Sequence, residues 1–251
     1  MTFDMPNEAL LQPLRALWKQ AFGDSDAFLD GFFATGFDRH RCRCLTWNDR
    51  LAAALYWFDC HWEGKKLAYI YAVATDEDFR GKGFCRSLME DTHRHLSKLG
   101  YHGAVLVPGD RELFDMYKKL GYRGFSPKLW QDVPAAGEAI PLQSLTWEEY
   151  AISRKTHLPA GGVVQEGSAL AYLATFAGFY QAADCLLCGG GEDVFQFQEF
   201  FGDLEQLPGI LTALQVSSGR VPCPGQGSDS AMFFPLTQDE ATPAYFGLAL
   251  N

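Results

Sequence analysis

The segment from Tyr69 to Met89, YIYAVATDEDFRGKGFCRSLM, limits the possible folds more than any other part of the chain. Leu67 to Ala74 is an apolar run bounded by Gly64 and by the acidic Asp76-Glu77-Asp78, and reads as a strand. It leads into Arg80-Gly81-Lys82-Gly83-Phe84-Cys85, where a helix begins. Apolar residues at Phe84, Leu88, Leu96 and Leu99, Lys98 near the end and Gly100 just beyond set that helix from Phe84 to Leu99. Ala104 to Val107 is a short apolar strand, and Arg111 to Leu120 a second short helix stopped by Gly121. Strand, helix, strand, helix in this order implies a βαβ crossover and a locally parallel sheet.

The turn between strand and helix has the chemistry of an anion site. Glycine takes positive φ freely and lets a ligand approach the backbone. The first amides of a helix have no intrahelical partner and sit at the positive end of its dipole, so the place suits phosphate. Arg80, Lys82 and Arg86 add positive charge beside it. The spacing excludes a Walker loop, which needs four residues between its glycines and then Gly-Lys-Ser/Thr. It also excludes the G-x-G-x-x-G fingerprint, because Ser87 and Leu88 follow instead. A bare Gly-x-Gly is equally consistent with a tight structural turn.

The stretch resembles the signature of the GNAT superfamily of acyl-CoA-dependent N-acyltransferases, Arg/Gln-x-x-Gly-x-Gly/Ala after a strand. Here it stands as Arg80-Gly81-Lys82-Gly83-Phe84-Cys85, with Cys85 in place of the final Gly or Ala. A second element, Leu113-Phe114-Asp115-Met116-Tyr117-Lys118-Lys119-Leu120-Gly121-Tyr122, resembles the family's aromatic-Tyr-x-x-x-Gly segment. The resemblance covers residues 8 to 126. It implies an acetyl-CoA-binding fold in which Val73, Ala74 and Thr75 form a splayed strand end bonded to the pantetheine arm. Arg80, Gly81, Lys82, Gly83, Phe84, Cys85 and Arg86 would hold the pyrophosphate, and Phe114 would line the cofactor. Tyr117 would be the general acid for the leaving thiolate, and a phenol near ~10 can serve a thiolate near ~8.5. Without the upstream loop, Tyr117 would read as a half-buried helix aromatic. The implied reaction is direct attack of an uncharged primary amine on acetyl-CoA, with the carbonyl oxygen polarised by a backbone amide at the end of the Val73 strand. Glu77, Asp59 and Asp110 lie near motif ends, but none is singled out as the base. The competing class is a non-catalytic CoA-binding sensor.

The rest of the chain frames this centre. Leu10, Leu14, Leu17, Trp18 and Phe22 set an amphipathic helix over Asn7 to Phe22, ended by Gly23. Ser25 or Asp26 caps a second helix through Ala34. Cys42 to Trp47 and Leu51 to Phe58 are strands joined by a turn at Asn48-Asp49-Arg50. Gln131 to Ser144, with two prolines and a glycine, reads as a linker. Beyond it come helices at Thr146 to Leu158 and Ser168 to Phe176, and strands at Asp184 to Cys188 and Val194 to Phe201 around a Gly189-Gly190-Gly191 turn. A helix at Leu204 to Leu214, shortened or kinked by Pro208 and Gly209, and closing strands at Ala231 to Leu236 and Tyr245 to Leu250 complete the reading. A faint echo links Phe32-Phe33-Ala34-Thr35-Gly36-Phe37 with Thr175-Phe176-Ala177-Gly178-Phe179. It permits the second half to be a degenerate copy of the first. The expected fold class is therefore α/β (α+β). A GNAT-like mixed sheet flanked by helices spans 1–130, a linker 131–144, and a smaller α+β domain 145–251.

Charge and composition narrow the function classes. The net charge of −10 argues against a nucleic-acid or anionic-membrane binder. Residues 1–130 carry 18 basic and 17 acidic side chains, and residues 131–251 carry 3 and 14. The acidic half is either the wall of a pocket for a cationic amine or a solubilising surface. No apolar run approaches the ~20 residues of a membrane span, and the N-terminus lacks the pattern of a signal peptide, so a cytoplasmic protein is expected. Seven cysteines do not suggest a disulfide framework. Cys85 reads as the small residue its loop requires rather than a nucleophile. Cys185 and Cys188 read as strand residues, and His93 and His95 face different sides of their helix, so no metal is expected.

Overall fold

The computed structural model describes residues 1–239 and 241–250. The chain divides into two compact units, Met1–Arg123 with Met232–Thr242, and Gly124–Ala231 with Pro243–Asn251.

The first unit opens with β1 (Thr2–Asp4), a 3-10 turn at Glu8–Leu10 and α1 (Leu11–Phe22). Gly23, at φ 74°, closes α1, and the Ser25 hydroxyl accepts from the Phe28 amide to cap α2 (Asp26–Gly31). A π turn at Phe32–Gly36 continues α2. Strands β2 (Cys42–Trp47) and β3 (Arg50–Trp62) follow, joined through Asn48 and Asp49. Both residues have positive φ, 48° and 61°, as a two-residue hairpin turn requires. Then come β4 (Lys65–Thr75), α3 (Phe84–Lys98), β5 (Gly103–Leu106) and α4 (Arg111–Lys119). Strands β1 to β5 lie side by side in chain order, all antiparallel except the parallel pair β4–β5. Residues Met232–Pro235 then pair antiparallel with β5.

Strand β3 is buried on both faces, which explains its unbroken apolar run. Leu55 and Trp57 point to the α3 side, into a cluster with Ile70, Leu88, Leu96 and Tyr117. Tyr56 points the other way, 5.4 Å from the Trp18 ring and 5.0 Å from Phe32, so aromatic packing seats α1 and α2 on the sheet.

The second unit contains β6 (Arg123–Pro134), β7 (Gln143–Leu145), α5 (Trp147–His157), β8 (Val164–Gln165), α6 (Ser168–Leu173) and β9 (Gly178–Ala182). It continues through β10 (Cys185–Gly190), β11 (Val194–Phe201), α7 (Leu207–Ala213), β12 (Ser218–Pro224) and the start of β13 (Ser228–Pro235). Its strands run in the order β7-β9-β10-β11-β12-β6. All neighbours are antiparallel except β11–β12, which are parallel across α7. This repeats the order and sense of β1-β2-β3-β4-β5 and the strand after it. The faint sequence echo falls in equivalent places, entering β2 in one unit and β9 in the other.

Several readings need correction. The segment expected as a linker, 131–144, begins inside β6 and ends in β7: Gln131 to Pro134 pair with β12 despite the prolines. Residues 232–242 belong with the first unit, not with 145–251. Gly189 and Gly190 lie within β10, so the turn is at 191–193. Helix α7 starts only at Leu207, which leaves Pro208 in the first turn where a missing N–H is harmless. Tyr245–Leu250 forms no strand. Its backbone is held instead by side chains: Ser126 Oγ accepts from the Phe246 amide, the Leu248 amide donates to Gln165, and Lys128 donates to the Gly247 carbonyl. Among the described residues, no helix is long and apolar enough to cross a membrane.

The second unit is organised around one buried ion pair. Arg154 donates to both oxygens of Glu199, at 2.6 and 2.9 Å, and the hydroxyls of Tyr150 and Tyr245 donate to the same carboxylate at 2.9 Å each. Both charged side chains are essentially inaccessible. Glu199 lies on β11 beyond Gln196↔Arg220, where pairing with β12 stops. The C-terminal segment thus packs against β11 where that pairing has ended.

Candidate functional site

The site begins where β4 and β5 separate. Their parallel pairing runs from Leu67↔Gly103 to Tyr69↔Val105 and stops, although β4 continues to Thr75. Its register with β3 slips between Ala54↔Ala74 and Tyr56↔Tyr71, and Ala72 sits at φ 47°. This is a β-bulge, which bends a strand and re-aims its backbone groups. Val73, Ala74 and Thr75 therefore form one edge of an opening rather than the interior of a ladder.

The loop after β4 is fixed to that edge. The Asp76 amide donates to Ala52 O, and Asp76 caps a 3-10 turn at Glu77–Phe79. Arg80 Nε donates to Thr75 O at 3.1 Å. Lys82 Nζ donates to Asp78 O at 2.6 Å. Gly81 and Gly83 have φ of 71° and 77°, and a Cβ built on either meets nothing within 4 Å. Their glycine character is thus set by backbone conformation and by open space in front of them. Gly83 caps α3 without a side-chain acceptor, and the first intrahelical bond is Ser87 N to Gly83 O at 3.0 Å. The amides of Phe84, Cys85 and Arg86 precede that bond. The arrangement fits a pyrophosphate: helix-start amides, exposed Arg80, Lys82 and Arg86, and no Cβ in the way.

Helix α4 supplies the other wall. Asp110 caps it, accepting from the Leu113 amide at 2.7 Å. Tyr117, only 6% exposed, faces inward with its ring 5.7 Å from Tyr122. Among the described residues its hydroxyl bonds to no protein group. Burial, with the neighbouring Cys85 second, pushes its pKa well above the ordinary phenol value. The side chain therefore keeps its proton throughout the neutral range and is available as a donor. Cys85 packs against the same cluster, and burial raises its pKa also, so it stays a thiol rather than a nucleophilic thiolate. Val73, Cys85 and Phe114 rim the cluster containing Phe84 and Tyr117. Arg111 stacks its guanidinium 5.6 Å over the Phe114 ring.

The three carboxylates near motif ends have structural occupations or lie exposed. Asp59 takes the Tyr101 hydroxyl and ion pairs from Arg41 and Lys66, Asp110 is a helix cap, and Glu77 is exposed. Sequence reasoning placed the β2–β3 turn correctly but missed that it belongs to the site: Arg50 reaches Asp78 at 2.9 Å and lies over Phe79. The adjacent Asn48-Asp49 marked the turn, but nothing local showed that it abuts the loop. Among the described residues, no three His, Cys, Asp or Glu side chains gather as metal ligands.

Behind Tyr117 lies a buried histidine. His93 stacks on Phe234 at 4.1 Å and shares a 2.8 Å hydrogen bond with the Tyr122 hydroxyl. Burial, reinforced by Arg94, lowers its pKa to about 4. The unfolded chain takes up that proton near pH 6.5 and the folded chain does not, so folding stability falls as pH drops from about 6.5 to about 4. The loss expected is on the order of 3 kcal/mol. Urea midpoints at pH 7 and pH 4.5 measure it, and His93→Gln, which keeps a hydrogen-bonding group but cannot titrate, should flatten the dependence.

Comparison with known proteins accords with this geometry. Residues 4–124 match the family model described as an acetyltransferase (GNAT) domain. No curated protein sequence matches the chain. Among solved structures, a GCN5-related N-acetyltransferase from Anabaena variabilis is 14% identical with a TM-score of 0.71, covering 94% of this chain and 73% of that one. A GCN5-related N-acetyltransferase from Kribbella flavida is 16% identical with a TM-score of 0.68, covering 92% and 70%. A putative acetyltransferase from Pyrococcus horikoshii is 10% identical with a TM-score of 0.63, covering 98% and 93%. At these identities the likeness is one of fold.

Proposed function

We infer that this chain, an acyltransferase carrying an acetyltransferase (GNAT) domain over residues 4–124, moves an acetyl group from acetyl-CoA to a primary amine. The observation that carries the reading is the parting of β4 from β5 beside a glycine loop, with the protonated Tyr117 facing the same cluster. In this reading the amides of Phe84, Cys85 and Arg86, with Arg80, Lys82 and Arg86 side chains, hold the pyrophosphate. Gly81 and Gly83 let it approach. Val73, Ala74 and Thr75 offer backbone groups to the pantetheine arm, which Phe114 flanks.

The amine nitrogen attacks the thioester carbonyl carbon. A C–N bond forms as the C–S bond breaks, and the carbonyl oxygen carries negative charge in between. A backbone amide near the Ala72 bulge polarises that oxygen. The sulfur leaves as a thiolate and takes a proton from Tyr117, while the amine proton passes to water and a proton from water restores the Tyr117 hydroxyl. Burial raises the pKa of a thiolate as well as of a phenol, so the proton affinities stay comparable inside the site. The acidic balance of residues 131–251 makes a cationic amine the acceptor class to try first.

The test is release of free CoA thiol from acetyl-CoA over a panel of monoamines, polyamines, aminoglycosides and lysine derivatives. Amine-dependent release is expected with at least one class. Tight acetyl-CoA binding with no release for any amine would favour the sensor reading instead.

A further inference from the structure

We propose that Trp47 is the stacking surface for the adenine base of the bound acyl-CoA, an inference that rests on the pyrophosphate reading of the Arg80–Arg86 loop. Trp47 is 39% exposed, high for a residue with so much apolar surface. Its indole lies 5.6 Å from the ring of Phe84, the first residue of α3. Phe84 lies 5.6 Å from Phe79 in the loop itself. The three rings make a row beside the phosphate-binding turn. Phe79 and Phe84 are buried within it, and Trp47 is the end that presents a face to solvent.

The position of that face is fixed. Trp47 pairs with Arg50 across the tight Asn48-Asp49 turn, and Arg50 is bonded to Asp78 and laid over Phe79. The hairpin end therefore lies against the loop. The other exposed tryptophan, Trp130, has Arg220 over its ring at 5.8 Å, whereas among the described residues no cation covers Trp47. In CoA only a ribose separates the pyrophosphate from the base. A pyrophosphate on the Phe84 amide leaves the base one side chain away from the indole. Stacking needs no hydrogen-bond readout, only a flat aromatic face, and tryptophan offers the largest.

The experiment measures Kd for CoA and for 4′-phosphopantetheine, which lacks the 3′-phosphoadenosine and one of the two phosphates of the pyrophosphate, on the wild-type chain, Trp47→Ala and Trp47→Phe. Loss of the stacking face should weaken CoA binding about tenfold in Trp47→Ala and leave 4′-phosphopantetheine unchanged. Trp47→Phe should stay within about threefold of wild type for CoA. Equal CoA affinity in wild type and Trp47→Ala overturns the inference and leaves the pyrophosphate reading standing. Equal weakening of both ligands also overturns it, because it assigns Trp47 only to packing on Phe84. Failure of the wild type to bind CoA removes both readings together.

Discussion

Tyr117→Phe is expected to lower kcat by about 10²–10⁴-fold, the range of a lost general acid. The acetyl-CoA KM and the thermal stability should hardly move. The hydroxyl bonds to no protein group among the described residues, so its removal strands no buried partner. The ring stays packed against Tyr122, and phenylalanine fills the same space. A second signature comes from the raised pKa. Because burial lifts the phenol above its ordinary value, no fall in rate from Tyr117 ionisation should appear up to about pH 10, where an unperturbed tyrosine would start to lose its proton. Any activity limb at lower pH then belongs to the amine. Steady-state kinetics with both substrates separates the two parameters, and an unchanged kcat would assign Tyr117 to packing alone.

The largest stability effect should come from the second unit. Arg154→Met leaves Glu199 charged and buried with only two tyrosine hydroxyls, and such a break costs about 3–5 kcal/mol. Exposed pairs such as Arg50–Asp78 contribute little by comparison. The effect should spread to the C-terminal segment, because Tyr245 donates to the same carboxylate and a Cβ on Gly247 would lie 1.6 Å from Glu199 Oε1. Faster proteolysis near 243–250 should accompany the shifted urea midpoint. The pair replacement Arg154→Met with Glu199→Leu removes the uncompensated charge and should recover part of the loss.

The glycine turn between β4 and α3 was legible because its determinants are local. Gly81 and Gly83 impose positive φ, the apolar spacing from Phe84 sets a helix, and Tyr117 follows at a readable distance. The ladder of β3 was legible as a continuous apolar run because both of its faces are covered. What escaped depends on partners distant in sequence. Strand β6 contains Pro127 and Pro134, which signal a loop to any local rule, yet it pairs along β12 from Lys128 to Pro134. Tyr245–Leu250 is apolar enough to pass for a strand, but beyond one backbone bridge at Tyr245 its polar groups bond to the Ser126, Lys128 and Gln165 side chains rather than to a neighbouring strand. The Arg154–Glu199 pair spans 45 positions, and no spacing rule links them. Trp47 ends β2 as its sequence suggests, but the tie from the adjacent Arg50 to Asp78, 28 positions away, has no local signal.

The repeated topology also sets how many cofactors the chain should hold. In the second unit Tyr245 and Gly247 lie against Glu199, on the part of β11 beyond its pairing with β12. The β11–α7 connection, Gly202-Asp203-Leu204-Glu205-Gln206, has two acids, a single glycine and no basic residue. One acyl-CoA per chain is the expected stoichiometry. Isothermal titration of acetyl-CoA into the wild-type chain and into Gly83→Val measures this directly. Valine at φ 77° costs about 1–3 kcal/mol of strain and puts a branched side chain into the space before the helix start. The expected result is a single site per chain in the wild type and none in the folded variant. Absence of binding by the wild type, or equal binding by Gly83→Val, would contradict a cofactor site at this loop.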